Sequence, residues 1–163
     1  MKTKNTVLVL VLGFAGSVVC LAKDANLGTW KLNEANSRSS PGAPKNLTVV
    51  YKSSRGDMKV IVDGTDADGK PTHNEWSGKF DGKDYPVTGD STSDIRAYKK
   101  MDNSANCAKL NFCTLELTAK KDGKVTMSGY IVVSPDGKSR TVTVSGTDPN
   151  GNKISTTAVY DKQ

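Results

Sequence analysis

Residues 123–161 read GKVTMSGYIVVSPDGKSRTVTVSGTDPNGNKISTTAVYD, and this stretch decides the fold. Its runs Val125–Ser134, Thr141–Asp148 and Ile154–Asp161 are rich in Val, Thr, Ile and Tyr, the residue types that pack well on a pleated, half-buried surface. Between them sit Pro135-Asp136-Gly137-Lys138 and Pro149-Asn150-Gly151-Asn152. In such turns Pro presets one φ and Gly supplies a positive one. Three strands joined by two tight turns make an antiparallel meander.

The same grammar runs upstream. Leu47, Val49 and Tyr51 share one face of Leu47–Lys52, and Met58, Val60 and Val62 share one face of the following run. Alternation with period two is the signal of a half-buried strand. After the turn Ala67-Asp68-Gly69-Lys70, the returning run Thr72–Phe80 sets Trp76 and Phe80 inward together. Tyr85–Thr88, Ile95–Met101 and Thr114–Lys120 complete the series, and Gly28–Leu32 opens it. Asn33–Lys45, polar and carrying Pro41, Gly42 and Pro44, reads as a crossing loop. The repeated X-Asp-Gly-Lys turns fit a type I turn closed by a G1 bulge. About ten strands in sequential hairpins, with no amphipathic helix, predict an all-β, antiparallel up-and-down barrel, since closure removes exposed edges. A two-sheet sandwich is the competing arrangement. The segment Val62–Gly69 returns in weakly similar form as Val144–Gly151, either by duplication or because one good turn solution is used twice.

The first 22 residues read as a secretory signal peptide: Lys2 and Lys4, an apolar Val7–Val19, and small residues before Lys23. The apolar run is shorter than the roughly 20 residues that cross a bilayer as a helix. Cys20 offers a second reading, lipidation after cleavage on its N-terminal side, although Val19 stands where small residues usually precede a lipidated cysteine. Residues 23–163 are then one domain, exported to the periplasm or secreted. Loss of Lys2 and Lys4 takes the net charge from +6 to +4. Lys70, Lys83, Lys124, Lys138 and Lys153 are scattered over turns, the pattern of solubility and edge protection, not of a nucleic-acid stripe. Cys107 and Cys113 are expected to form a disulfide, as paired cysteines of an exported chain do. So small a loop contributes about 2 kcal/mol before strain is subtracted.

Catalytic and metal chemistry find little to work with. His73 is the single histidine, no Gly-x-Ser-x-Gly elbow is present, and no carboxylate pair stands out. Neither a cofactor nor a metal is expected. Gly64–Glu75 spaces like a calcium loop but is flanked by strands and begins on Gly, so a hairpin turn accounts for it better. Arg55-Gly56-Asp57 matches an adhesion tripeptide at a hairpin tip, where Gly needs no receptor to explain it, and Asn46-Leu47-Thr48 is a glycosylation sequon that a bacterial-type signal leaves unused.

Gly28-Thr29-Trp30 near the mature N-terminus, followed by meander strands alone, resembles the calycin superfamily of lipocalins and fatty-acid-binding proteins. There the tryptophan of a Gly-x-Trp on the first strand plugs one end of the barrel, which implies that role for Trp30. The Asp-Gly-Lys hairpins and the Ala158-Val159-Tyr160-Asp161 end also resemble small exported bacterial lipocalin-like proteins, a likeness that brings no mechanism with it. The chain departs from fatty-acid-binding proteins in lacking two helices after the first strand and an Arg-x-Tyr on the last; Arg96-Ala97-Tyr98 lies on a middle strand. The lipocalin arginine over the plug corresponds to Arg140 or Arg96. The expected function is a non-enzymatic monomeric barrel holding a small apolar or amphipathic, lipid-like molecule. Its wall would come from Tyr51, Trp76, Phe80, Tyr98 and Met127, with Arg96 for an anionic headgroup. The alternative is a barrel packed solid with its own aromatics, acting as an envelope-associated interaction module.

Overall fold

The computed structural model of the chain describes residues 24–89, 91–101, 114–148 and 151–163. The proposed signal peptide with Cys20, and the pair Cys107 and Cys113, lie outside the described residues. Among the described residues ten strands are present: β1 (Gly28–Ser39), β2 (Lys45–Ser54), β3 (Asp57–Thr65), β4 (Pro71–Gly78), β5 (Tyr85–Gly89), β6 (Ile95–Lys100), β7 (Thr114–Lys121), β8 (Lys124–Val133), β9 (Ser139–Thr147) and β10 (Lys153–Lys162). Each pairs antiparallel with its neighbours in sequence, and β1 pairs with β10, so a single sheet closes on itself. The two-sheet sandwich is thereby replaced by an up-and-down barrel. Among the described residues no helix is long and apolar enough to cross a membrane.

Closure follows from the alternation. Val49 and Tyr51, Val60 and Val62, Leu115 and Leu117, Ile131 and Val133, and Ala158 and Tyr160 are buried and fill the interior from successive strands. Burying such side chains stabilises by about 1.5–3 kcal/mol apiece. Between them the outward positions carry Lys52, Lys59, Glu75 and Glu116.

The polar stretch after Leu32 departs from expectation. Asn33–Lys45 is not a loop throughout: β1 continues to Ser39, with its register against β10 shifting between Asn33 and Arg38. A backbone ladder does not require apolar side chains, and here side-chain oxygens repair the irregularity. Ser37 Oγ accepts from the Val159 N–H at 2.9 Å and donates to the Asn33 carbonyl at 2.7 Å. A bulge of this kind bends its strand and increases the local twist. Only residues 40–44 remain as the link to β2.

The turns also divide. At the β3–β4 and β9–β10 turns, Asp66 and Asp148 each accept from the N–H three residues on, at 3.2 and 3.0 Å, and donate to the carbonyl four residues on. Their carboxylates accept the N–H of Lys70 and Asn152 at 2.9 and 2.8 Å. The weak repeat in the sequence is therefore the same hairpin built twice, and the calcium-like spacing is that hairpin. The β7–β8 turn is different from expectation: Lys121 pairs with Lys124, leaving Asp122 and Gly123 as a two-residue turn with φ of 48° and 75°. Positive φ at both positions is the type I′ form, whose twist matches that of the flanking strands. Arg55 and Gly56 make the same kind of turn between Ser54 and Asp57, with φ of 51° and 90°.

Candidate ligand cavity

Inside the barrel is a cavity of about 850 Å³. It reaches from the β1–β2 link, Asp66 and Ser91–Ser93 at one end of the barrel down to Arg140, Tyr51 and Tyr160. Its walls are mainly apolar, with Leu32, Val49, Val62, Leu117, Ile131 and Val142 among them. Cavities of this size and lining hold small organic molecules.

The opposite end is plugged. Trp30, fully buried, donates its indole N–H to the Asn26 carbonyl at 2.7 Å. Asp24 fixes the turn that carries Asn26, accepting from the Asn26 backbone and side-chain amides at 3.0 and 3.1 Å and pairing with Lys100 at 2.9 Å. Burial pushes the Asp24 carboxyl upward, but the Lys100 and Asn26 hydrogen bonds outweigh it and hold the carboxyl below its ordinary range.

Four of the six side chains expected to touch a ligand, Tyr51, Arg96, Tyr98 and Met127, line the cavity. Trp76 and Phe80 do not; they form the packed layer beside it. Trp76 stacks on Phe80 with ring centres 6.2 Å apart, meets Tyr98 edge-on at 4.8 Å, and donates its indole N–H to the Arg96 carbonyl at 3.0 Å. Phe80 lies beyond the end of β4 at Gly78, a glycine whose side-chain place is taken by the Tyr85 ring. The Arg96 guanidinium donates to Ser91 Oγ at 3.1 Å.

The residue that the expected set omits is Arg140. It is 2% exposed, lines the cavity floor, and its guanidinium carbon lies 4.9, 4.8 and 4.8 Å from the ring centres of Trp30, Tyr51 and Tyr160. Between the two arginines proposed to cover the plug, the position belongs to Arg140. A signal for it exists in the sequence: Val142 and Val144 face inward on β9, and the same phase carries Arg140 inside. Its Nε and Nη1 have no hydrogen-bond partner among the described residues. Burial raises the Tyr160 hydroxyl to about 12 against the opposing pull of Arg140, and raises Tyr51 still further. Both phenols are therefore neutral donors at ordinary pH. Tyr160 uses its hydroxyl on the Asn46 carbonyl at 3.1 Å, an oxygen made available where the β2–β3 register shifts.

His73 faces outward on β4, its Nδ1 2.6 Å from Asp63 Oδ1, and takes no part in the cavity.

No protein-family model and no curated protein matches the chain. Among solved structures, one of EF1p2_mFAP2b bound to DFHBI is 14% identical, with 87% of this chain and 97% of that one covered and a TM-score of 0.41. A redesigned beta barrel, mFAP1, bound to DFHBI is 16% identical, with 86% and 98% covered and a TM-score of 0.37.

Proposed function

We propose that this protein is an exported, lipocalin-like container that holds a small amphipathic organic molecule inside its barrel without transforming it. The observation that carries the reading is the cavity of about 850 Å³, walled by aliphatic side chains with a few convergent polar groups. The Gly28-Thr29-Trp30 plug with an arginine against its indole supports the lipocalin-like assignment. Export to the periplasm or beyond rests on the charged-then-apolar character of residues 1–22. Closure of the sheet leaves no strand edge for pairing, which favours a monomer.

The alternative, a solid barrel acting only through its outer face, would fill that space with side chains. Among the described residues the exposed large apolar side chains are Val125 and Tyr130, too few to form an apolar docking patch there.

Native mass spectrometry of freshly purified protein, with tryptophan emission followed against a panel of fatty acids, sterols and aromatic acids, tests the proposal. A co-purifying small molecule, or a saturable emission change, is expected. If nothing co-purifies and no panel member alters the emission, the container role is lost.

A further inference from the structure

We infer that Arg140 is an anion receptor at the cavity floor, and that the molecule held is an amphipathic monoanion of the carboxylate class, seated head-down with its apolar part toward the open end. This deepens the container reading and rests on it.

The inference starts from a guanidinium that is buried without a counter-charge. Arg140 makes no ion pair among the described residues; Asp24, Glu34, Asp63, Glu75, Asp84 and Asp94 are engaged with cations elsewhere. The carboxylates that border the cavity, Glu34 and Asp66, lie at its mouth, with Glu34 held by Lys45 at 3.1 Å. Trp30, Tyr51 and Tyr160 offer Arg140 their ring systems. Cation–π attraction and a hydrogen bond to the Tyr51 hydroxyl offset part of the desolvation cost, but Nε and Nη1 are left unmatched. The contact with Trp30 ties the seam, but it supplies no acceptor for Nε and Nη1, and a buried charge without its partner is costly.

An oxyanion set against this guanidinium would supply the missing acceptor in a site with little water, where charge-assisted hydrogen bonds are strongest. One buried cation flanked by neutral phenols suits a single negative charge better than a double one. The planar fork of arginine matches the two oxygens of a carboxylate. Above the floor, Val49, Leu117, Ile131 and Val142 give the remainder of the molecule an apolar wall.

The test compares decanoate with decan-1-ol, which share a tail and differ in the headgroup. Binding to the purified protein at pH 7.5 is measured by calorimetry and by tryptophan emission. Decanoate is expected to bind about tenfold or more tighter, the scale of a hydrogen bond to a charged group. In Arg140→Met that preference should vanish while decan-1-ol binds as before. Equal binding of acid and alcohol to the unaltered protein, or binding of neither, overturns the inference; the container itself falls only if the wider ligand panel and native mass spectrometry also find nothing. A preference that survives Arg140→Met, or that falls in Arg96→Met instead, places the headgroup elsewhere and also overturns it. Should Arg140→Met fail to fold, Arg140→Lys takes its place: a carboxylate preference undiminished in that variant counts against fork recognition, and a reduced one supports it.

Discussion

The guanidinium of Arg140 sits 4.9 Å from the centre of the Trp30 indole, and this contact crosses the seam at which the barrel closes. Trp30 lies on β1 and Arg140 on β9, with β10 between them: Trp30 is opposite Lys162, and Arg140 is opposite Tyr160. The first and ninth strands are thus tied through side chains as well as through the shared ladder. The same pair separates the two ends of the interior, with plug below and cavity above.

Removing the indole should therefore cost more than its area alone. Trp30→Ala is expected to destabilise by about 3–5 kcal/mol, the range for deleting a fully buried aromatic side chain. Urea denaturation, read by far-UV circular dichroism, measures it. Combined with Arg140→Met in a double-mutant cycle, it should give a coupling of about 0.5–2 kcal/mol, as for a desolvated cation–π contact. Strict additivity would mean that the stacking contributes nothing to the closed seam.

The two related hairpins make a matched prediction about glycine. A Cβ on Gly64 would stand 2.1 Å from the Lys45 carbonyl oxygen, and one on Gly146 would stand 2.1 Å from that of Thr126. Backbone cannot step aside as a flexible side chain does, so each strand must bend away from its neighbour. Gly64→Ala and Gly146→Ala should each cost about 1–3 kcal/mol, the range for overpacking. Gly151 also has a positive φ of 87°, but nothing lies within 4 Å of its Cβ direction. Gly151→Ala should therefore cost only the strain of the left-handed backbone, about 1 kcal/mol. Thermal midpoints of the three variants measure the order, and a costlier Gly151→Ala would refute it.

These glycines also mark how far the sequence could be read. Ten strands, their sequential order and the inward phase of Val49, Tyr51, Val60 and Val62 follow from alternation and turn residues. The extension of β1 through Asn33–Ser39 does not, because its ladder is held by Ser37 Oγ and by backbone groups that leave no apolar rhythm. The cavity was legible in part. Tyr51, Arg96, Tyr98 and Met127 border it, whereas Trp76 and Phe80 are consumed in packing against one another. Which aromatic borders a space and which fills it depends on its height along the barrel axis. Height is set by strand stagger, a long-range quantity that no local window records.

Alkaline pH should expose the buried phenols. The Tyr160 hydroxyl, raised by burial to about 12, titrates near 10 once the chain unfolds. Its contribution to stability is thus complete below pH ~10 and is lost as pH rises through its folded value, because the unfolded chain releases the proton first. Tyrosinate absorbance at 295 nm should show Tyr51 and Tyr160 ionising only as the fold opens. Tyr160→Phe should flatten the alkaline loss of stability and, through the lost bond to the Asn46 carbonyl, cost about 1 kcal/mol near neutrality. Ionisation of Tyr51 and Tyr160 while the fold is still closed and below pH ~10 would contradict the enclosed floor.

His73, on the outer face, is a clean reporter because the chain has one histidine. It stands directly opposite Asp63 in the β3–β4 register, with Nδ1 2.6 Å from the carboxylate, and Glu75 lies farther off at 3.8 Å from Nε2. The hydrogen bond to Asp63 is the main reason its pKa is raised; slight desolvation opposes this, and the charges of Asp63 and Glu75 reinforce it. A raised folded pKa means that the pair stabilises fully below the unfolded value of about 6.5 and ceases to do so as pH rises through the folded one. Proton NMR titration of the imidazole should give a midpoint above that value. Asp63→Asn should return it to the ordinary range, and Glu75→Gln should move it less. Since the pair is open to solvent, raising the salt concentration should also lower the midpoint. A midpoint at the ordinary value that ignores both salt and Asp63→Asn would mean that the two side chains are apart in solution, and would question the β3–β4 pairing on which the nearby mouth of the cavity is built.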